Sequence, residues 1–264
     1  MVSIVIPTFN RYHTLKRTLN SVFEQTYKNF EVILVDDGST DDTRKIENEF
    51  DIIYIYQKNL GVSRARNEGI KSARGEWIAF LDSDDEWHTD KLQKQMNFFK
   101  NNPNIKFCHT KEKWIRYQKE VKYPKRLEKP SGWCFCDNLQ TCKIAASSTV
   151  CHKEVFDKVG LFDENFKVCE DYDMWLRVAY EYKIGLIKED LITKYAGHNQ
   201  LSNKIFAIDR YHIRSLVKFI DTPYHNEVVK MIKKKLEILK KGATKYANHE
   251  MLKWCDEIAD KKGL

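Results

Sequence analysis

The feature that most constrains the fold is an apolar segment, residues 77–81, that runs directly into three aspartates. These are Asp82, Asp84 and Asp85, and carboxylates crowded this closely repel one another unless a cation lies among them. Mg²⁺ and Mn²⁺ prefer oxygen ligands and bind substrate phosphates at the same time. The segment therefore predicts a buried strand that ends in a divalent metal site. An acidic turn that caps the next helix is the alternative, and it accounts for one aspartate better than for three.

Two further apolar runs, residues 2–6 and 32–35, also end in polar loops, the first at Thr8 and the second at Asp37. Each run precedes a helical pattern, which is typical of a parallel sheet with helices on its faces. Ligands bind outside the carboxyl ends of the strands in such sheets. We therefore expect the loops at Asp37 and Asp82 to share one rim and to form one site.

The rest of the first half alternates between strand and helix patterns, as in a doubly wound sheet. In this half, helices are predicted at 15–23, 41–50, 62–73 and 89–101, and strands at 52–56 and 105–109. Beyond it, a strand is predicted at 148–151 and helices at 153–159 and 169–177. Asn10 is expected to cap the first helix. Residues 111–150 show few periodic apolar positions, and we interpret them as a variable region on the acceptor side of the site.

The C-terminal part has a different character, with two helical patterns at 203–220 and 224–247. We predict a domain of residues 1–202, Rossmann-like with a mostly parallel sheet, and a basic helical extension of residues 203–264. No apolar run approaches the roughly 20 residues that a membrane-spanning helix needs. The N-terminus begins directly with a strand pattern, so a cytoplasmic location is expected.

Cysteine spacing and charge exclude some classes of site. Seven cysteines without a secretory signal predict free thiols, and the segment 134–151 lacks the paired CxxC spacing of structural zinc sites. The net charge is +7, and no nucleic-acid-binding signature accompanies it. The lysines of residues 230–235 could contact an anionic membrane surface, which leaves peripheral membrane binding open beside a plain solvated face. A homodimer through the C-terminal helices is also open.

Five motifs occur in the order found in a known family. They are Ile6-Pro7-Thr8-Phe9-Asn10-Arg11, Val35-Asp36-Asp37-Gly38-Ser39, Asn59-Leu60-Gly61-Val62-Ser63-Arg64-Ala65-Arg66-Asn67, Leu81-Asp82-Ser83-Asp84-Asp85 and Glu170-Asp171. Over residues 1–202 the chain resembles the family 2 glycosyltransferases, which have a nucleotide-sugar-binding GT-A fold. The resemblance implies transfer of a sugar from a nucleotide donor, UDP-linked by default, to a hydroxyl acceptor with inversion at the anomeric carbon. It also implies Mn²⁺ or Mg²⁺ as cofactor.

The resemblance assigns roles to individual residues. The nucleotide-binding residues that it implies are Pro7, Thr8, Asn10, Arg11, Asp37, Arg66 and Asp82. The DxD motif supplies the metal ligands, Asp84 with Asp82, and His198 is expected to reach the metal or the diphosphate. Asp171 is the implied general base, and Glu170 beside it is expected to orient the loop or to contact the acceptor.

Asp171 also has a chemical argument of its own. Direct displacement needs a base within hydrogen-bond reach of the attacking hydroxyl. A carboxylate at the start of a helix has its charged form favoured by the helix dipole, so Asp171 is expected to be ionised at neutral pH. In isolation, capping of the helix by Glu170 and Asp171 would be the favoured explanation of the pair, and the family resemblance reverses that preference.

The acceptor cannot be named from these motifs, and two other classes stay open. A growing surface glycan, lipid-linked or free, is the expected acceptor in glycan biosynthesis. A nucleotidyltransferase would usually carry a glycine-rich phosphate loop where residues 7–11 stand. A non-catalytic protein that binds a sugar or a nucleotide would need a damaged metal or base site, and the sequence shows neither.

Overall fold

The computed structural model describes residues 1–122, 124–196 and 206–263. The strands of this part of the chain are β1 (Val2–Thr8), β2 (Phe30–Asp36), β3 (Ile53–Tyr56), β4 (Trp77–Phe80), β5 (Glu86–Trp87), β6 (Phe107–Arg116), β7 (Lys119–Val121), β8 (Val150–His152) and β9 (Ile184–Ala196). Its α-helices are α1 (Tyr12–Phe23), α2 (Val62–Ser72), α3 (Lys91–Asn101), α4 (Phe135–Asn138), α5 (Glu154–Val159), α6 (Glu170–Glu181), α7 (Asp209–Leu216), α8 (His225–Lys245) and α9 (His249–Lys262). Short 3₁₀ turns lie at Asp42–Asn48, Lys125–Leu127, Ala146–Ser148 and Val217–Phe219.

The strands form one sheet in the order β3-β2-β1-β4-β8-β6-β9-β5, and β7 pairs with β6. The first four strands of that order pair in parallel, as the alternation of strand and helix patterns predicts. β8 runs antiparallel to both of its neighbours, whereas β6 and β9 are parallel to each other. The predicted α/β fold with flanking helices and helices at the C-terminus is confirmed.

The continuous apolar strands supply a hydrophobic core on each face of the sheet. In β1, Val5 packs into the core that contains residues of α2, α5 and α6. Ile4 and Ile6 pack into the opposite core with α1 and α3. Successive side chains of a strand point to opposite faces, so an apolar strand without polar interruptions needs helices on both sides.

Helix α2 lies very close to β1 because residue 69 is glycine. A Cβ atom at Gly69 would lie 2.3 Å from Cγ1 of Val5, a distance that real Cβ atoms do not show. The close contact fixes the height of α2 above the sheet. It thereby positions Arg66, one helical turn earlier, at the edge where β1 and β4 end.

Strand β9 is absent from the sequence-based prediction, and β6 is longer than predicted. β6 continues beyond residue 109 to Arg116, well into the region predicted to be a variable insertion, and pairs with β9 along its length. β6 carries charged residues at positions 111–113 and 116, and β9 carries them at 188–190 and 194. The apolar periodicity of both strands is therefore weak. The backbone hydrogen bonds between them come from residues far apart in sequence, which no local pattern can indicate.

Asn10 does not cap α1, so that prediction is wrong. The cap position of α1 is Arg11, whose side chain makes no capping hydrogen bond, and the N–H of Tyr12 donates to Oδ2 of Asp41 at 3.2 Å. Asn10 has a φ of 52°, and its Oδ1 accepts hydrogen bonds from the backbone N–H groups of Thr40 (2.8 Å) and Asp41 (3.3 Å). The side chain ties two loops together instead, because asparagine tolerates the left-handed conformation that brings it to the second loop.

The C-terminal helices pack against the sheet domain through their apolar faces. Leu216, Ile232, Leu236 and Met251 belong to the same core cluster as the residues of α2 and α6. Lys235 also points inward, where its Nζ donates to the carbonyl of Gln140 at 2.8 Å and pairs with Asp209 at 2.7 Å. It therefore does not belong to the exposed lysines of α8.

The division into residues 1–202 and 203–264 stays a prediction.

Helix α8 is the longest helix in the described ranges, but it carries lysines at intervals along its length. Within those ranges we find no helix that combines the length and the low polarity needed to cross a bilayer.

The packing of α8 predicts a clear contrast between two isoleucines of this helix. Ile232 is fully buried, and Ile232→Ala should lower the free energy of unfolding by about 2–5 kcal/mol, because it leaves a cavity in the shared core. Ile238 is 51% exposed, and Ile238→Ala should change that free energy by no more than about 0.5 kcal/mol. Urea unfolding of the two variants measures both values. Equal and small losses would contradict the packing of α8 onto the core.

Candidate active site

The carboxyl ends of β1, β2 and β4 lie at one edge of the sheet. Thr8 at the end of β1 pairs with Asp36 at the end of β2, and the N–H of Asp37 donates to the carbonyl of Thr8 at 2.8 Å. On the other side of β1, the N–H of Leu81 donates to the carbonyl of Val5 at 3.1 Å. The loops that carry Asp37 and Asp82 thus flank the same strand.

Asp37 is buried and holds the loop that precedes α2. Its Oδ1 accepts hydrogen bonds from Nε2 of Gln57 (2.6 Å) and the N–H of Leu60 (2.8 Å), and its Oδ2 accepts one from the N–H of Gly61 (2.9 Å). Gly38 next to it has a φ of +85°, and a Cβ there would lie 2.8 Å from the backbone nitrogen of Asn59. Only glycine allows the two loops to approach this closely.

The end of β1 and the loop that follows it, residues 7–11, carry predicted nucleotide-binding residues whose surroundings differ. Pro7 is buried within β1, and the Thr8 hydroxyl is buried without a hydrogen-bond partner among the described residues. Asn10 is engaged by the neighbouring loop. Arg11 is half-buried, and its Nε lies 4.0 Å from Oδ2 of Asp84. Of the predicted nucleotide-binding residues, Thr8 and Arg11 therefore keep polar groups available at the rim.

The acidic loop after β4 lies between two cations, the buried Arg66 and the half-buried Lys194. Asp82 Oδ1 accepts from Nη2 of Arg66 at 2.9 Å, and its Oδ2 lies 3.8 Å from Nζ of Lys194. Lys194 Nζ also donates to Oδ2 of Asp85 at 2.8 Å. The Ser147 hydroxyl donates to that same Oδ2 at 2.6 Å and accepts from the N–H of Asp82 at 3.1 Å. These contacts hold the loop in one conformation.

The three carboxylates of this loop differ in their electrostatic surroundings. Burial alone would raise the pKa of Asp82, but the charges of Arg66 and Lys194 outweigh burial and lower that pKa. Burial and the neighbouring Asp82 carboxylate raise the pKa of Asp84. Burial, which the ammonium of Lys194 opposes, raises the pKa of Asp85 to about 6, and repulsion from Asp82 and Asp84 adds to it. Of the three, Asp84 lies farthest from a cation, with Nε of Arg11 at 4.0 Å from its carboxylate.

Helix α6 brings the predicted base to the same edge. Cys169, in the left-handed conformation with a φ of 60°, precedes Glu170, the first residue of the helix. Glu170 is buried and accepts from Nη1 of Arg66 at 2.6 Å. Asp171 Oδ1 accepts from the N–H of Tyr172 at 2.7 Å, and Oδ2 lies 3.5 Å from the Cys142 thiol.

The protonation of Asp171 is governed by burial more than by the helix dipole. Burial, and after it the charge of Glu170, raises the pKa of Asp171 to about 6, although Arg66 and the Tyr172 N–H oppose the shift. Burial therefore outweighs the effect that was expected from the helix dipole. A carboxyl group with this pKa is still mostly ionised at pH 7 and is a stronger base than an exposed aspartate.

Ser147, Lys194 and Cys142 are among the residues that contact the predicted site residues and to which the sequence assigns no role in the site. Ser147 and Lys194 contact the acidic loop, and Cys142 contacts Asp171. They lie in segments without a recognisable motif, and their contacts span many residues of sequence, so no local signal indicates them. His198 lies outside the described residues. Within those residues, no cluster of three or more metal-ligating side chains is present.

Comparison with known proteins gives relatives over most of the chain. The chain is 38% identical over 199 residues to an uncharacterized glycosyltransferase of Rickettsia felis, which covers 72% of this chain and 32% of that protein. It is 35% identical over 184 residues to the UDP-Glc:alpha-D-GlcNAc-diphosphoundecaprenol beta-1,3-glucosyltransferase WfaP of Escherichia coli, over 67% of this chain and 70% of the relative. The chain spans about a third of the length of the first Rickettsia relatives that it matches.

The fold is also found among solved structures. The crystal structure of S. aureus TarS 1–349 in complex with UDP-GlcNAc superimposes with a TM-score of 0.69 at 20% identity, over 92% of this chain and 72% of that one. The family model "Glycosyl transferase family 2" matches residues 3–147, which is more than half of the chain. Together with the identity to the E. coli relative, this match shows that the chain belongs to glycosyl transferase family 2.

Proposed function

We propose that the chain transfers a sugar from a UDP-linked donor to a hydroxyl group of a lipid-linked glycan by metal-assisted direct displacement. The observation that carries this proposal is the position of Arg66. Its guanidinium contacts Asp82 at 2.9 Å and Glu170 at 2.6 Å, so it joins the acidic loop to the helix that carries Asp171. Direct displacement needs a leaving-group site and a base on opposite sides of one sugar, held in fixed geometry.

The donor side of the rim has polar groups suited to a nucleoside. The buried hydroxyl of Thr8 has no partner in the described ranges, and a ligand that bonds to it would offset the cost of that burial. Asp37 accepts three hydrogen bonds and a carboxylate can accept about four, which leaves one site for an N–H of a nucleobase. UDP is the proposed carrier because the E. coli relative is named for a UDP-linked donor.

The acidic loop fits a divalent ion that is shared with the donor. Mg²⁺ and Mn²⁺ are commonly held by one or two carboxylates together with substrate phosphates, so a cluster of three protein ligands is not required. Asp84, with Arg11 at 4.0 Å as its nearest cation, would be the main ligand, and Asp82 would assist. When bound, such an ion would neutralise the charge that develops on the leaving diphosphate.

The acceptor side is proposed to be directed by Asp171. Oδ1 of this carboxylate is oriented by the Tyr172 N–H, and Oδ2 has only the weak thiol contact with Cys142. Oδ2 is therefore the oxygen that can take the proton of the attacking hydroxyl. Glu170 is paired with Arg66 at 2.6 Å. We therefore propose that Glu170 orients the start of α6 and that it does not act as the base.

A lipid-linked acceptor requires access to a membrane surface. The E. coli relative is named for an acceptor linked to diphosphoundecaprenol. In this chain, Lys230, Lys233 and Lys234 are exposed on α8 and form a basic face, whereas Lys235 is buried. Each basic residue near an anionic bilayer contributes about 1 kcal/mol to binding. We propose that this face contacts the membrane.

Substitution of the proposed base should separate chemistry from donor binding. Asp171→Asn should lower kcat by about 10²- to 10⁴-fold, the range for loss of a general base, and should leave UDP affinity unchanged. Steady-state kinetics and calorimetric titration with UDP measure the two quantities. Asp137→Asn, an exposed carboxylate on α4, is the matched control and should behave like the wild type. Loss of UDP affinity with an unchanged kcat would assign Asp171 to the donor site instead.

The raised pKa of Asp171 also predicts the pH dependence of the reaction. The carboxylate accepts a proton only when it is ionised, so kcat/KM should fall as the pH drops below about 6. An aspartate with its ordinary pKa would keep its activity down to about pH 4. A profile that stays flat from pH 7 to about pH 4.5 would contradict the assignment.

The metal ligand is tested by Asp84→Ala. This variant should lose the stabilisation that UDP gives in the presence of Mn²⁺, and turnover should fall at least about a hundredfold, because several kcal/mol of charge stabilisation disappear. Thermal unfolding with UDP, with and without Mn²⁺, is the measurement. Asp51→Ala, at an exposed carboxylate before β3, is the control. A wild type that binds no nucleotide under any of these conditions would favour the non-catalytic alternative.

Membrane contact is tested by charge reversal on α8. Replacing Lys230, Lys233 and Lys234 by glutamate should abolish binding to phosphatidylglycerol vesicles, and salt should release the wild type, since screening weakens exposed charges. The control replaces three exposed lysines elsewhere by glutamate and changes the net charge equally; these are Lys28, Lys58 and Lys100. Equal loss of vesicle binding in both triple variants would show that net charge, and not this face, drives the contact.

A further inference from the structure

Lys194 reaches the acidic loop from a distant part of the chain. It lies on β9, one residue after Thr193, which pairs with Glu86 of the short strand β5. β5 follows Asp85 directly, so this pairing brings Lys194 beside the loop. Its side chain is 21% exposed, and its Nζ lies 2.8 Å from Oδ2 of Asp85 and 3.8 Å from Oδ2 of Asp82.

Two cations, Arg66 and Lys194, balance part of the negative charge of the loop before any ligand binds, and Arg66 is shared with Glu170. Both oxygens of Asp82 face a cation, Arg66 on one side and Lys194 on the other. Asp85 is paired with Lys194 as well. Of the three carboxylates, Asp84 has the longest distance to a cation, 4.0 Å to Nε of Arg11, and its backbone carbonyl accepts from Nη2 of Arg17 at 3.0 Å. In the free protein, Asp84 is therefore the carboxylate of the loop that is most available to a divalent ion.

Lys194 also supports the backbone of the acidic loop indirectly, through its contact with Asp85. The Asp85 oxygen that binds Lys194 accepts a hydrogen bond from the Ser147 hydroxyl, and Ser147 Oγ in turn accepts from the N–H of Asp82. The ammonium group is thus the first member of a chain of contacts that ends at the backbone of the DxD motif. Its loss would change both the charge and the support of the loop.

We propose that Lys194 is a positioning residue that neutralises the metal loop of the free protein, so that the divalent ion enters together with the donor diphosphate and not before it. The inference rests on the proposed function of this site. Because one available carboxylate binds a divalent ion weakly, the diphosphate oxygens must supply the remaining ligands. The competing explanation is a buried ion pair that only supports the fold.

The test compares Mn²⁺ binding by the wild type and by Lys194→Met in the absence of nucleotide. Calorimetric titration with Mn²⁺ alone should show weak binding to the wild type. It should show at least about tenfold tighter binding to Lys194→Met, equivalent to about 1.4 kcal/mol, because the loop then has uncompensated carboxylates. The same variant should show a higher KM for the donor, since the loop has lost its support.

Two further lysine variants complete the comparison. Lys194→Arg keeps the positive charge and should retain the weak Mn²⁺ binding of the wild type. Lys188→Met removes an exposed lysine from the same strand and should change neither value. If methionine at position 194 prevents folding, Lys194→Gln removes the charge with a polar side chain and should give the same gain in Mn²⁺ affinity.

The outcomes distinguish this inference from the proposed function. Unchanged Mn²⁺ affinity in the folded Lys194→Met or Lys194→Gln variant overturns the inference, because a pair that only supports the fold would lower stability without any gain in metal affinity. If the wild type binds UDP with Mn²⁺ but the variants show no gain for Mn²⁺ alone, the inference fails and the proposed function stands. If the variants gain Mn²⁺ affinity while the wild type binds no nucleotide, the function fails and the role of Lys194 stands.

Discussion

The ion pairs of Arg66 with Asp82 and Glu170 are the contacts on which the site depends. Arg66 and Glu170 are buried and Asp82 is partly exposed, and the cost of burying the guanidinium is offset only while both carboxylates are present in this geometry. Burial alone would lower the pKa of the guanidinium, but the two carboxylates reverse that effect and raise it. Arg66 is therefore a permanent cation. It keeps the acidic loop and the start of α6 at a fixed separation, which is what a two-sided reaction needs.

A second set of charges adjusts the reactivity of individual carboxylates. Asp171 and Asp85 are each made more basic by burial, yet they have opposite surroundings. Asp85 is closed off by Ser147 and Lys194, whereas one oxygen of Asp171 has only a weak contact. A carboxylate that is basic and accessible suits proton abstraction, and one that is basic and closed off suits support of a loop. The assignment of roles follows from these contacts more than from the acidic character of the residues.

The parts of the fold and site that could be predicted from sequence are those that depend on local patterns. β1, β2 and β4 are continuous apolar runs, and Asp37 and Asp82 follow them directly, so their position at one rim can be inferred. β9 could not be inferred, because its charged residues hide the strand periodicity. Lys194 could not be linked to Asp85 either, since the two are 109 residues apart and only the assembled sheet brings them together. Asn10 shows the same limit, because its partners lie in another loop.

The hydrogen bonds that Asp37 accepts from residues 60 and 61 have a further consequence. Those two N–H groups stand immediately before α2, and Arg66 lies within the second turn of that helix, about 7.5 Å along its axis. The carboxylate of Asp37 thus holds the start of α2, and the guanidinium of Arg66 on the same helix holds the acidic loop and the start of α6. Any change that moves residues 60 and 61 would therefore also move Arg66 relative to both of its carboxylate partners.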